Sequence, residues 1–330
     1  MDPIRHRDAE DRGFSPDILR SRWFTHPVAG VSQLATTADH LPSTCRAIAV
    51  MLPDDAVFTH LTSAEVRGWW LPMLDEQRPV IACTSGEGVH LDRRGVYVRR
   101  CDIPPGHRER FDDVPLASAE WTIVELAEHL ALLDLVAVID SALYLGHTSV
   151  KRIRATMRPG RRGVRVLRRA LPLADGRSES WWETMLRLLH ELSGIPVDPQ
   201  HVVLNAAGVE VARVDLRIRG TNRAAEYDGA DHRDRIRHQD DLRREKMLAR
   251  SGLQRYGYIA SEILRAPELI VRDAEDAAGL PHLPGRLDVW RAEARRASVS
   301  RIGQAQLSTR LLRFVRDEPP RPPRPSGANR

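Results

Sequence analysis

The longest regular spacing of hydrophobic residues lies between residues 118 and 146 and predicts two helices. Leu126, Leu130 and Leu133 recur along one helical face, and a second apolar set continues beyond a break near Leu133-Asp134. The same stretch contains Asp134 and Asp140, and a membrane span would not carry such acids. We therefore expect a buried packing unit that does not cross a membrane.

Helical and strand-like patterns alternate on both sides of this unit. Residues 43–52 are typical of a helix, and residues 79–84 and 95–100 of two short strands. Further along, a helix around residues 183–192 precedes strands at residues 202–204, 211–218, 223–229 and 256–259. The pattern predicts an α/β fold, with an α+β N-terminal region and a C-terminal mixed sheet flanked by helices.

Changes in composition divide the 330 residues into three predicted regions, because a chain of this length exceeds the usual single core. Residues 1–172 form a mixed, partly helical region, and residues 173–280 form a second domain. Residues 281–330 are expected to be a helical extension followed by a disordered tail rich in proline and arginine.

Basic residues are concentrated immediately before the second domain. Residues 151–169 contain no acid. With the net charge of +5, this favours an anionic partner such as nucleic acid. The alternative is a solvated helix face between two domains, although such faces usually carry balancing acids. The residues predicted to contact DNA are Lys151, Arg152, Arg154, Arg158, Arg161, Arg162 and Arg165.

The cysteines and the N-terminus indicate a cytoplasmic protein. Cys45, Cys83 and Cys101 are odd in number and form no CxxC pair, which predicts reduced thiols. Residues 1–12 are charged and lack the apolar stretch of a secretory signal.

Candidate chemistry begins with two carboxylates. Glu183 lies three residues after Ser180, so it is either a metal ligand or the acid of a helix capping box. Asp215 lies within an alternating strand that places Val214, Leu216 and Ile218 on one face. An aspartate is disfavoured there. It is either a site residue or part of a surface strand with arginine partners.

Two further acids follow on the next strand. Glu226 and Asp228 are two residues apart and therefore share a face, where their repulsion is tolerable if a cation lies between them. His232 is a candidate for proton transfer, for phosphate contact or for a plain helix start. Asp241 and Arg244 form either an intrahelical ion pair or a pair that orients the site or meets a phosphate.

Together these motifs resemble the very-short-patch-repair endonuclease-like domain, a branch of the PD-(D/E)XK nuclease superfamily. The resemblance covers roughly residues 175–275 and implies a restriction-endonuclease-like sheet that binds Mg²⁺ or Mn²⁺. It implies Glu183, Asp215 and Glu226 as metal ligands. The implied catalytic residues are Asp215, Glu226, Asp228, His232 and Arg244.

The upstream region is similar to abortive-infection antitoxin-like (AbiEi-type) regions, through residues 60–64 and 68–72.

The chain departs from the nuclease motif at one position. The superfamily has a lysine two residues after the second acid, and this chain has Asp228. Arg244, Arg223 and His232 are the candidate substitutes for that lysine.

Two functions are therefore expected from the sequence. The first is a Mg²⁺-dependent endonuclease acting on double-stranded DNA. The alternative is a non-catalytic DNA-binding regulator or antitoxin with a degenerate nuclease fold. This regulator would have a partner protein in a toxin–antitoxin or phage-defence system.

Overall fold

Both helices and mixed sheets are present in the computed structural model of the chain, which confirms the α/β fold class. The structure describes residues 3–35, 40–72, 78–85, 95–205, 207–229, 248 and 250–315. His232, Asp241, Arg244 and the predicted tail from residue 316 onward lie outside these residues.

The chain divides into two compact units. The first comprises residues 1–62, 75–117 and 308–330, and the second comprises residues 63–74 and 118–307. The domain boundaries predicted at residues 172 and 280 stay a prediction. The helix α3 (His60–Val66) runs from the first unit into the second.

Two sheets lie in the first unit. The smaller is antiparallel, with β3 (Val31–Leu34) between β1 (Ile4–Arg5) and β2 (Phe24–Val28). The larger sheet has the order β6-β5-β4-β8-β7. Its strands are β4 (Val57–Phe58), β5 (Val80–Thr84), β6 (Val96–Arg100), β7 (Arg108–Phe111) and β8 (Val114–Ala117), and the helices of the unit include α1 (Pro16–Leu19) and α2 (Leu41–Ala49).

The prediction of three reduced thiols is wrong for two of the cysteines. Cys83 and Cys101 form a disulfide bond, with their Cα atoms 6.0 Å apart. The strands β5 and β6 pair in parallel, with Cys83 opposite Arg99, so Cys101 follows only two residues further along the neighbouring strand. The separation of 18 residues along the chain does not reveal this proximity. Cys45 is buried and is not part of this disulfide bond.

The second unit begins with the helices predicted from hydrophobic spacing. They are α4 (Ala119–Leu126) and α5 (Leu132–Tyr144), so the break comes earlier than Leu133-Asp134. The acids of α5 are buried because they have partners. Asp134 accepts hydrogen bonds from the Ser298 backbone and hydroxyl, and Asp140 forms an ion pair of 2.7 Å with Arg187. Two short helices follow, α6 (Val150–Thr156) and α7 (Val164–Ala170).

A four-stranded sheet forms the rest of this unit, after the helix α8 (Trp181–Leu192). The strand order is β12-β11-β10-β9; β9, β10 and β11 are antiparallel neighbours, and β12 is parallel to β11. The strands are β9 (Val197–Leu204), β10 (Glu210–Ile218), β11 (Arg223–Tyr227) and β12 (Gln254–Tyr258). They are followed by the helices α9 (Ala260–Arg265), α10 (Pro267–Ala278), α11 (Asp288–Arg296) and α12 (Arg301–Val315), and of α12 only residues 301–307 belong to this unit. In the parts of the chain that the structure describes, we find no helix with the length and apolar character of a membrane span.

Candidate active site

Glu183 lies in the first turn of α8, where the sequence allowed both a cap and a ligand. The Ser180 hydroxyl accepts a hydrogen bond of 3.2 Å from the Glu183 backbone, and Glu183 Oε2 accepts one of 2.8 Å from the Glu179 backbone. The Ser180 hydroxyl therefore caps the helix, whereas the Glu183 carboxylate bonds the amide of Glu179 and not that of Ser180, as a capping box would require. The same Oε2 atom also accepts a bond of 2.9 Å from the Gln200 amide. Burial raises the pKa of Glu183, and the neighbouring Glu179 acts in the same direction.

Gln200 connects this helix start to the sheet. It lies on β9 between Pro199 and His201, which pair with Leu216 and Val214 of β10. Gln200 therefore lies opposite Asp215 in the register. Its φ of 51° is in the left-handed region, an uncommon conformation for a residue with a side chain. Such conformations are found where the surrounding structure holds them in place, often at functional sites.

Asp215 follows the alternation predicted for its strand. Val214, Leu216 and Ile218 are buried, whereas Asp215 is half-buried. Its Oδ2 atom accepts a hydrogen bond of 2.9 Å from the backbone N–H of Tyr227 on β11. Because Leu216 pairs with Ala225, the next positions along the two strands are Asp215 and Glu226. The structure thus brings these two residues to adjoining positions.

Glu226 of β11 and Asp228, which follows the end of that strand, share an arginine from the parallel neighbour β12. Arg255 donates through Nε to Glu226 Oε2 and through Nη2 to Asp228 Oδ1. The Glu226 side chain is 3% exposed and that of Asp228 is 44% exposed, so the pair extends from the interior to the surface. Burial lowers the pKa of Arg255, but the two carboxylates outweigh burial and raise the pKa above its usual value.

Gly257 makes room for this cluster. It lies opposite Glu226 in the parallel register, and a Cβ atom built on it would overlap the Asp228 carboxylate. The absence of a side chain at this position therefore allows Asp228 to reach Arg255. This is the close approach that a strand glycine often marks.

An aromatic contact joins α8 to the same strand. The rings of Trp182 and Tyr227 stack with their centroids 5.7 Å apart and an interplanar angle of 21°. Each aromatic residue is adjacent in sequence to a predicted metal ligand, Trp182 to Glu183 and Tyr227 to Glu226. The stack therefore helps to fix the start of the helix against β11.

Two of the predicted ligands, Asp215 and Glu226, lie along one row across the sheet, and the third, Glu183, lies on α8 and contacts this row through Gln200. The row runs from Gln200, which holds Glu183, through Asp215 and Glu226 to Gly257. Within the described residues, no group of three or more His, Cys, Asp and Glu side chains could hold a metal ion. Asp215 and Glu226 are nevertheless oxygen donors at adjoining positions, and this chemistry fits Mg²⁺, which commonly takes only one or two carboxylates in addition to water and substrate oxygens.

Sequence reasoning missed two residues of this candidate site. Arg255 was missed because the last strand was predicted to begin at Tyr256, whereas β12 begins at Gln254. Gln200 gave no signal because its role depends on backbone geometry. Of the basic residues considered as substitutes for the missing lysine, Arg223 lies over the Tyr256 ring, 3.6 Å from its centroid. Arg244 and His232 lie outside the described residues.

The basic segment divides into two classes of side chain. Arg152 pairs with the buried Glu120 at 2.8 Å, and Arg161 packs over Trp121 at 4.4 Å with Glu128 at 3.7 Å. These acids come from α4 and the residues after it, so the balancing charge that the segment lacks is supplied by tertiary contacts. The other predicted DNA contacts are exposed and pair with no acid that the structure describes; they are Lys151, Arg154, Arg158, Arg162 and Arg165.

Comparison with known proteins gives few relatives. Two uncharacterized proteins of Mycobacterium tuberculosis, from the strains CDC 1551 and H37Rv, are each 35% identical to this chain over 111 residues. The match covers 33% of this chain and 41% of each relative. The match therefore spans less than half the length of these relatives. No family model matches the chain, and no solved structure matches it.

Proposed function

We propose that the second unit cleaves phosphodiester bonds of double-stranded DNA with the help of Mg²⁺ or Mn²⁺. The observation that carries this proposal is the pair of acids on two neighbouring strands: Asp215 on β10 accepts a hydrogen bond of 2.9 Å from the backbone of Tyr227, the residue that follows Glu226 on β11. Acids from separate elements are brought to adjoining positions there, at a cost in repulsion that a shared cation offsets.

The residues of the row have separate roles in this proposal. Asp215 and Glu226 hold the metal ion, and Glu183 is oriented at the edge of the row by the Gln200 amide. Asp228, whose carboxylate reaches the surface, is available to accept or return a proton, as is His232. When bound, the metal lowers the pKa of a coordinated water and stabilises the charge of the phosphate.

The exposed basic side chains of residues 151–169 bind the DNA backbone in this proposal. Lys151, Arg154 and Arg158 extend into solvent without an acid partner among the described residues. Such side chains neutralise backbone phosphates and give binding that is independent of sequence and falls with salt.

A cleavage assay with matched variants tests this function. Purified protein with Mg²⁺ or Mn²⁺ is expected to nick supercoiled plasmid, and Asp215→Asn to abolish nicking while DNA binding is retained. The control is Asp198→Asn, because Asp198 lies on β9 of the same sheet and forms an ion pair with Arg219 that is separate from the row. Equal nicking by wild type and Asp215→Asn would exclude this site as the catalytic one.

A second candidate function is favoured by Arg255. Its guanidinium binds both Glu226 and Asp228 and offsets one of their two negative charges, so their repulsion is reduced without a metal ion. In this alternative the chain is a DNA-binding regulator or antitoxin that acts with a partner protein. Salt-sensitive DNA binding with no cleavage in either metal would select this alternative.

A further inference from the structure

Arg255 is placed where a positive charge is needed between two acids. Its two donating nitrogens bind different carboxylates, and the guanidinium thereby spans Glu226 and Asp228. The Arg255 side chain is 26% exposed, so it is partly accessible from solvent. An anionic ligand can therefore approach the arginine without unfolding the sheet.

The chemistry of the partners makes an exchange possible. A guanidinium binds a phosphate with the same forked geometry that it uses for a carboxylate. Glu226, once released by the arginine, would be able to hold a divalent cation as its counter-charge instead. A phosphate that binds Arg255 would release the carboxylates for a metal ion. A metal ion that binds the carboxylates would release Arg255 for the phosphate.

We infer that Arg255 is an exchangeable counter-ion, and that a phosphate group of the bound strand draws it away from Glu226 and Asp228, so that phosphate and divalent cation bind cooperatively. This inference rests on the proposed nuclease function and concerns the order in which the site is loaded. Arg255 contacts the phosphate of the bound strand in this scheme, and by leaving the acids it also makes them available to the cation. Linkage requires that each ligand raise the affinity of the other by the same factor.

Calorimetric titration with Mn²⁺ tests the inference without measuring cleavage. Wild type, Arg255→Gln and the control Arg219→Gln are each titrated alone and with a short phosphorothioate DNA duplex, and the heat of Mn²⁺ binding to the duplex is subtracted. Arg219 is a matched control because its ion pair with Asp198 lies on the same sheet, outside the row. A methylphosphonate duplex, which lacks backbone charge, serves as the control ligand.

We expect the coupling between Mn²⁺ binding and duplex binding to be stronger in wild type than in Arg255→Gln. Without DNA, Arg255→Gln binds Mn²⁺ about tenfold more tightly than wild type or Arg219→Gln, since a neighbouring positive charge has been removed. The phosphorothioate duplex tightens Mn²⁺ binding to wild type by about tenfold more than it tightens Mn²⁺ binding to Arg255→Gln, and the uncharged duplex does not reproduce this difference. Arg255→Lys keeps the charge and is expected to retain coupling, which separates this effect from a loss of folding.

Two other results would overturn the inference for different reasons. If Asp215→Asn removes Mn²⁺ binding but Arg255→Gln binds Mn²⁺ no more tightly than wild type, the metal site stands and the exchange is wrong. If no protein binds Mn²⁺ with or without DNA, the proposed nuclease function fails and the exchange fails with it.

Discussion

The side-chain amide of Gln200 donates a hydrogen bond of 2.9 Å to Glu183 while the Gln200 backbone is held at a φ of 51°. This pair joins the start of α8 to the strand position opposite Asp215. A left-handed conformation costs a residue with a Cβ roughly 1–2 kcal/mol. Gln200 therefore adopts an unfavourable backbone conformation while its side chain contacts a predicted metal ligand.

Substitution of Gln200 separates these two effects. Gln200→Ala loses the hydrogen bond and keeps the strain, whereas Gln200→Gly loses the bond and relieves the strain. We expect Gln200→Gly to be the more stable of the two by about 1 kcal/mol in urea unfolding. Equal stabilities would mean that the backbone at this position is unstrained.

Gly257→Ala is expected to disturb the arginine–carboxylate cluster. The added methyl group overlaps Asp228, so this carboxylate must leave Arg255 or the strands must move. Overpacking of this kind costs about 1–3 kcal/mol, which thermal or urea unfolding would detect. Gly106→Ala is the control, since a Cβ there meets no atom within 4 Å and φ is not positive. A Gly257→Ala protein as stable as Gly106→Ala would contradict the observed packing.

We expect the free energy of unfolding of the second unit to depend on pH through His190. It is fully buried, and burial lowers its pKa from 6.5 to about 4. A lowered histidine pKa contributes stability that is complete above pH 6.5 and is lost as the pH falls toward 4. A shift of this size corresponds to about 3 kcal/mol. Comparing urea unfolding of wild type and His190→Gln near neutral pH and near pH 4 measures this contribution; an identical pH dependence in both proteins would show that His190 does not titrate as proposed.

The two classes of basic side chain are expected to respond differently to substitution. Replacing Arg154, Arg158 and Arg162 with Gln should weaken DNA binding and reduce its salt dependence, with unchanged stability, because these side chains are exposed. Arg161→Gln should instead lower the unfolding temperature, since it loses the contact with Trp121. Filter binding at several salt concentrations and thermal unfolding give the two readouts. If Arg161→Gln weakened DNA binding and the triple substitution did not, Arg161 would be the residue that contacts DNA.

The disulfide predicts the number of reactive thiols. Denatured, non-reduced protein should react with one equivalent of an alkylating reagent, at Cys45, and reduced protein with three. Peptide mapping would identify the labelled residue. Labelling of all three cysteines without reduction would exclude the Cys83–Cys101 bond.

Local patterns determined much of the second unit. The hydrophobic spacing of residues 118–146 predicts α4 and α5, and alternation along residues 211–218 predicts which side chains of β10 are buried. These features depend on the period of a helix or a strand, which a single sequence displays directly. The cap at Ser180 is equally local, because it involves residues only three positions apart.

Only the tertiary structure decided which distant residues meet. Arg255 reaches Glu226 because β12 runs parallel to β11, and Cys83 reaches Cys101 because β5 runs parallel to β6. Gln200 lies opposite Asp215 because of the β9–β10 register. Strand order and register are set by the packing of whole sheets, so no spacing along the chain encodes them locally. The sequence by itself therefore determined the acids of the candidate site, and the fold determined the partners that hold them.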